Sequence, residues 1–416
     1  MNALRAPLRI FLQRCGRALA LPLLASIVVL AACGGGGSGG VDTGGTGAPV
    51  ASLATGRIAG FGSIVVNDVH YDDESAEIVD DDGRARRRED LQLGMTVQVQ
   101  AGPIERDPAA DVRRSTALRI AFGSEIRGPV ESVDSARGTL RVIGQTVTVD
   151  VNTVIAGFAS LASIRGGDLV EVFAFFDPST GIYAATRIER EATLASFRLR
   201  GPIAALDTAG RTLRIGGATI SYANVPPSEL PGLQNGVVAR VEVQTAAHEG
   251  RWIATRIVTP LPAATPEGVR TELEGFITDF TSRARFKVDG VAVDASRGDV
   301  VFDKGSAAQL AEGARIEVEG RVEGGVLIAE RIEVHRVKDA PAQAEAGQEF
   351  DVRGAIEAVD AGARRFVVRG LAVTFDANTR FDDGAAGDLR PGAVVRVRGT
   401  LSGGNQLRAD RIRFDD

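Results

Sequence analysis

At 416 residues the chain is too long for one hydrophobic core and points to several domains. Glycine at 50 residues and aromatics at 5% describe many turns and small cores, while three histidines and one tryptophan leave few parts for metal or acid–base chemistry. A net charge of -6 disfavours nucleic acid as a partner, and the scarcity of lysine beside many arginines reads as coding bias rather than as a basic patch.

The first elements are a targeting segment and a tether. Arg5, Arg9, Arg14 and Arg17 precede an apolar run, Ala18 to Leu30, shorter than the ~20 residues of a membrane span. The run ends in Leu30-Ala31-Ala32-Cys33. This order resembles the lipobox of bacterial lipoproteins, which implies a signal peptide over 1–32 and lipidation of Cys33, the small residues admitting the peptidase and the thiol carrying the diacylglycerol. Cleavage there also removes Cys15 and four arginines, so the rest is more acidic and has no intramolecular disulfide. Gly34 stands where an Asp would, by the same resemblance, mark inner-membrane retention. The expected location is therefore the outer membrane, on the face toward the periplasm, with the membrane as partner through the anchor. Residues 33–54 are almost all Gly, Ser, Thr and Ala after the cysteine and read as a flexible tether of ~20 Å span. The formal G-x-G-x-x-G match at Gly34–Gly39 lacks the strand before and the helix after that a phosphate loop needs.

From Thr55 onward one unit recurs with a period near 70 residues, ~70 being too long for a propeller blade or solenoid rung. Its first landmark is Gly followed by apolar residues at +3 and +5, at Gly94, Gly167, Gly236, Gly313 and Gly392. Its second is Ala-x-Arg-Ile, beginning at Ala117, Ala185, Ala254, Ala329 and Ala409. Within a copy, apolar residues alternate as in strands: Phe286 and Val288, an Asp289-Gly290 turn, then Val291 and Val293. A weakly helical stretch such as Ser306–Leu310 follows, then two more strands. The order strand, strand, strand, short helix, strand, strand is that of the oligonucleotide/oligosaccharide-binding (OB) barrel. The expected fold is all-β: five tandem small OB-like five-stranded β-barrel domains, each with a short helix between strands 3 and 4. An open five-stranded sheet or small sandwich is the alternative. In Ala-x-Arg-Ile, regular alternation would bury the x residue, which is Glu330 or Asp410 in two copies, so a bulge is expected there, with Ala and Ile inside and Arg outside.

The expected units are 55–122, 124–192, 197–260, 271–338 and 350–416, with a Pro-rich linker at 261–270 and an Ala/Gln/Glu linker at 339–349. Short joints suggest that the first three pack together, and the linkers that the last two are beads on spacers, each unit with its own core. The stretch Gly56–Asn67 with Tyr71, the strand Gly128–Asp134 and the Ala-Thr-Arg-Ile endings resemble the bacterial domain-of-unknown-function family 5666. The resemblance covers most of the chain beyond Cys33, strongest in units one and two and loosest in unit three, where Pro226-Pro227 interrupts. It implies a secreted or lipid-anchored protein of tandem small β-domains and carries over no catalytic residues.

Candidate chemistry is sparse. Asp72-Asp73-Glu74 and Asp80-Asp81-Asp82-Gly83 offer hard oxygen ligands but not the spacing of a calcium loop, and His70, His248 and His335 lie in different units, so no metal site and no cofactor is expected. No G-x-S-x-G occurs and no catalytic residue is assigned, so no enzyme is expected. Arg84, Arg86, Arg87 and Arg88 are a candidate anion contact, although acids bracket them. Phe173 and Phe175 fall on the outward side of their strand and are the candidate binding surface. The function expected is a non-enzymatic, lipid-anchored envelope protein presenting barrels to a protein or glycan; a structural spacer and a metal-dependent or hydrolytic module are the alternatives.

Overall fold

The computed structural model describes residues 50–108, 112–230, 232–259, 266–336, 349–402 and 405–415. The expected signal peptide, Cys33, most of the tether, and residues 261–265 and 339–348 of the linkers lie outside them. Among the described residues the chain is all-β, with no α-helix. Its first strand, Ser52–Arg57, begins inside the stretch read as tether, because it has a pairing partner on each edge.

The fourth repeat shows the plan. Its first strand, Arg270–Ser282, pairs antiparallel with Arg285–Val288, which turns at Asp289-Gly290 into Val291–Asp294. Both turn residues have positive φ, as a two-residue hairpin of this hand requires. Val291–Asp294 runs parallel to the last strand, Val326–Arg336, which pairs with Arg315–Glu323, and that strand returns to the first. The pairings therefore close a ring around Phe286, Val288, Val293, Ile316, Val318 and Ile332. The same ring closes in the second, third and fifth repeats. In the first repeat it closes through a first strand broken into Ser52–Arg57 and Gly60–Phe61.

The short helix is a correction. Each repeat has only a three-residue 3-10 turn there: Arg88–Asp90, Leu161–Ser163, Pro227–Glu229, Ala307–Gln309 and Ala386–Asp388. So few residues cannot repay helix nucleation, and Pro227 and Gly387 sit within them. Four repeats place a further short strand just before this turn, parallel to the last strand; the third, with Pro226-Pro227, does not.

The expected bulge is present in all five copies. The register slips by one residue so that Leu118, Thr186, Thr255, Glu330 and Asp410, the x positions, are each the extra residue. Every Ala and Ile of the motif is buried. Arg187 is the exception to the outward arginines; it is buried and donates to the Leu93 carbonyl of the first repeat at 3.1 Å. In the fifth repeat Gly399 faces Ala409 across the bulge, where a Cβ would lie 2.0 Å from the Arg408 carbonyl oxygen.

Ring closure does not use every edge. A first strand pairs with the fourth along its first half and with the second along its other half, which leaves one edge of the first half unpaired. Those edges join the repeats. Ser52–Thr55 of the first repeat runs parallel to Arg270–Leu273 of the fourth, and Gly60-Phe61 parallel to Asp351-Val352 of the fifth. Ile126-Arg127 of the second pairs with Arg198-Leu199 of the third. The fourth and fifth repeats are therefore not beads on spacers, since both pair with the first. The cores are not five separate ones either: repeats one and five share one apolar cluster and repeats two and three another.

Candidate functional site

Cross-strand register builds a roomy cleft, of about 560 Å³, between the first and fifth repeats. In the fifth repeat Arg353, Arg396 and Arg413 stand directly opposite one another on the first, fourth and fifth strands. Like charges in register destabilise a sheet unless something compensates them. The compensation is carboxylate. Arg396 grips Asp351 bidentately at 2.7 and 2.6 Å, helped by Arg398 at 2.9 Å. Arg353 and Arg413 each donate through Nε to a different oxygen of Asp415, the latter at 3.2 Å. Burial pushes the Asp415 carboxyl upward, but Arg353 and Arg413 outweigh it and hold it below the usual range.

The first repeat supplies the facing wall: Phe61, Gly62, Ser63, His70 and Arg114. The pairing of Gly60 with Asp351 brings this wall in, and only glycine fits, since a Cβ at position 60 would lie 2.2 Å from the Asp351 carbonyl oxygen. Phe61 is buried beneath the Arg369 guanidinium, 4.3 Å from its ring centre, and Phe414 closes the other side. Ser63 Oγ lies 3.3 Å from His70 Nδ1. Burial lowers the His70 pKa to about 4; Asp351 opposes the shift, while Arg396, Arg114 and Arg398 add to it. At neutral pH the imidazole is uncharged and serves as a hydrogen-bonding group.

The residues singled out in the sequence lie elsewhere. Phe173 and Phe175 are not exposed: they are 1% and 4% accessible. Phe173 packs into the cluster of the first and fifth repeats, and Phe175 meets Ala184 and Phe276 with the Arg315 guanidinium 4.7 Å from its ring centre. They point out of their own barrel, as alternation requires, but other repeats cover them. Arg84, Arg86, Arg87 and Arg88 each pair with a carboxylate, Asp82, Asp80, Asp90 and Asp73 respectively. Asp80, Asp81 and Asp82 bring carboxylate oxygens within 4.8 Å of one another, but Arg86, Arg198, Arg240 and Arg256 engage them. Cys33 lies outside the described residues.

A second charged constellation fills the joint of repeats one and four. Glu272 and Glu319 share Arg113 at 2.6 and 2.8 Å, and Glu274 pairs with the fully buried Arg315 at 2.6 Å. His335 sits 3.6 Å from both Glu317 and Glu333. Burial raises the Glu272 carboxyl to about 8 and Glu317 well above its ordinary value, whereas Arg315 and Arg57 bring Glu274 down to about 2 despite its burial. The cavity there is about 10 Å³, with no room for a substrate, so these groups belong to the joint.

Nothing in the sequence marked the cleft as a unit, since its two walls are almost 300 residues apart in the chain, on the order of four repeats. In the sequence Gly60–Ser63 reads only as part of a motif, and His70 only as an isolated histidine.

No curated protein matches the chain. A solved structure, "drosophila Unr CSD456", is 17% identical, with alignment over 52% of this chain and 98% of that chain and a TM-score of 0.14, too low to carry any inference. The first and third repeats fall outside the segments that match a family model; the one has a broken first strand and an added strand, Glu105–Asp107, the other Pro226-Pro227. The second, fourth and fifth repeats, at residues 127–189, 274–333 and 353–413, match the family model described as Domain of unknown function (DUF5666), so the match recurs in tandem along the chain.

Proposed function

We propose that the chain is a non-enzymatic, lipid-anchored envelope protein, tethered by Cys33 to the outer membrane and facing the periplasm, whose OB-like barrels form one body that holds a ligand between the first and fifth repeats. The observation that carries this reading is the cleft of about 560 Å³, within the range of small-molecule sites, with arginines already oriented by carboxylates. The occupant is an envelope glycan or a protein segment. Compactness argues against a spacer, because the described residues of all five repeats fall in one unit rather than a string. Ser63 and His70 have the contact of a nucleophile and a base, but an imidazole with a pKa of about 4 is a weak base at neutral pH.

The test is crosslinking in cells followed by purification of the intact chain, with Cys33→Ser and Phe414→Asp variants alongside. A partner held by the intact chain and lost from both variants is the expected result. Equal recovery from all three would end the reading, as would labelling of Ser63 by a fluorophosphonate probe for its non-enzymatic part.

A further inference from the structure

In the fifth repeat an exposed arginine pair is engaged by a carboxylate of its own strand. Arg353 and Arg413 hold the two oxygens of one carboxylate between them, and that carboxylate belongs to Asp415, the last residue of the strand Gln406–Asp415. Both arginines line the cleft and are about half exposed, at 48% and 50%, with the exposed Asp383 also lining it 3.8 Å from Arg413. Arg396 differs: it is 20% exposed and committed to Asp351 through two bonds.

We infer that the cleft recognises a carboxylate-bearing sugar of one or two rings, whose carboxylate takes the place of Asp415 on Arg353 and Arg413. This rests on the reading of the cleft as a ligand surface. The planar guanidinium forks already match a planar carboxylate, which a point charge such as lysine would not select. Ser63 and the uncharged His70 suit hydroxyl groups, which donate and accept in turn. Phe414 offers an apolar wall for the face of a ring. A neutral sugar leaves the arginine pair with Asp415 and gains only the hydroxyl contacts.

The equivalent row in the fourth repeat supports carboxylate as the complement. Glu274, Glu317 and Glu333 occupy the positions of Arg353, Arg396 and Arg413, opposite one another on the same three strands. Two of its members have basic partners, Glu274 with Arg315 and Arg57, and Glu333 with Lys304. The arginine row of the fifth repeat has the reverse sign and an open face.

Calorimetric titration of the full chain in detergent tests this with three probes: digalacturonate, neutral galactobiose and galactose 1-phosphate. Digalacturonate is expected to bind at least tenfold more tightly than galactobiose and more tightly than the phosphate. Asp415→Asn is expected to raise its affinity at least threefold, by removing the competitor's charge, and Arg353→Gln to lower it at least tenfold. The opposite signs separate recognition from misfolding, because a damaged fold weakens both. Digalacturonate no tighter than galactobiose, a phosphate preference, or no change in Asp415→Asn each overturns the inference. If galactobiose binds and Phe414→Asp abolishes it, the cleft reading survives without the carboxylate; if no sugar binds and crosslinking finds no partner, both fall.

Discussion

The fourth and fifth repeats use one position in the sheet for opposite purposes. In both, three like charges stand in register on the first, fourth and fifth strands, facing the first repeat: Glu274, Glu317 and Glu333 in one, Arg353, Arg396 and Arg413 in the other. The acidic row is closed over, with Glu274 3% exposed and its counterion Arg315 fully buried. The arginine row looks into a cleft. The same architecture makes a joint where the charges are desolvated and Glu274 is closely paired, and a cleft where Arg353 and Arg413 stay half exposed while Arg396 is committed to Asp351. Burial of a charge is costly and is repaid only by close partners, so removing a partner should separate the two rows sharply.

The largest effect is expected at Arg315→Met. It leaves Glu274 buried with Arg57 4.0 Å away, and should cost about 3–5 kcal/mol of unfolding free energy by denaturant titration. Replacing Glu274 with Leu as well should restore much of that loss, since an apolar pair needs no counterion. A single mutant as stable as the parent would show that the joint is not held as described.

Phe173→Ala comes next, at about 3 kcal/mol, the usual cost of deleting a buried ring with its cavity. The ring spans two repeats, so the loss should appear as earlier unfolding of the body rather than of the second repeat alone. Exposure-dependent quenching or labelling at a Phe173→Cys variant should stay slow until unfolding.

These two residues show what the sequence could and could not reveal. Alternation placed Phe173 and Phe175 on the outer face of the barrel, and that side is right; what covers them comes from other repeats, the first and fourth among them, which no local pattern encodes. The bulge was legible because Glu330 and Asp410 cannot be buried in a regular strand, a conflict visible within four residues. The strand order was legible for the same reason. The cleft was not, because the pairing of Gly60 with Asp351 joins the two ends of the repeat array, and its arginines read singly as ordinary outward charges. The helix was misread because apolar spacing at Ser306–Leu310 fits a helix as well as a 3-10 turn when only one turn exists.

A smaller effect distinguishes the joint by pH. Glu272 is fully buried, and burial, reinforced by Glu319 and Glu317, raises it to about 8 against the pull of Arg113. Arg113 lies 2.6 Å away and favours the charged form, but it is shared with Glu319, so burial prevails. A carboxyl raised from 4.5 to about 8 contributes stability that is complete below pH 4.5 and disappears as pH rises through 8. One proton sets a slope of at most ~1.4 kcal/mol per pH unit. Glu272→Gln should therefore gain on the parent between pH 6 and pH 9, roughly the upper part of that window, and lose its advantage below pH 5 or so. Melting curves that run parallel across this range would show that Glu272 titrates normally.

The smallest expected change is at Arg413→Gln in the open row. Its side chain is 50% exposed, it stands opposite Arg396, and its partner Asp415 keeps Arg353. Losing a screened contact costs little, and losing a like-charge neighbour returns some of it. Stability should stay within about 0.5 kcal/mol of the parent, and the difference should shrink further with salt, because exposed charges are screened over roughly 8–10 Å at physiological ionic strength. Set beside Arg315→Met, this is the discriminating pair: two arginines engaged with carboxylates, one sealed in a joint and one at the rim of a cleft. Equal costs at the two positions would mean that the fifth repeat's row is also structural, and that its arginines are held for the fold rather than for a ligand.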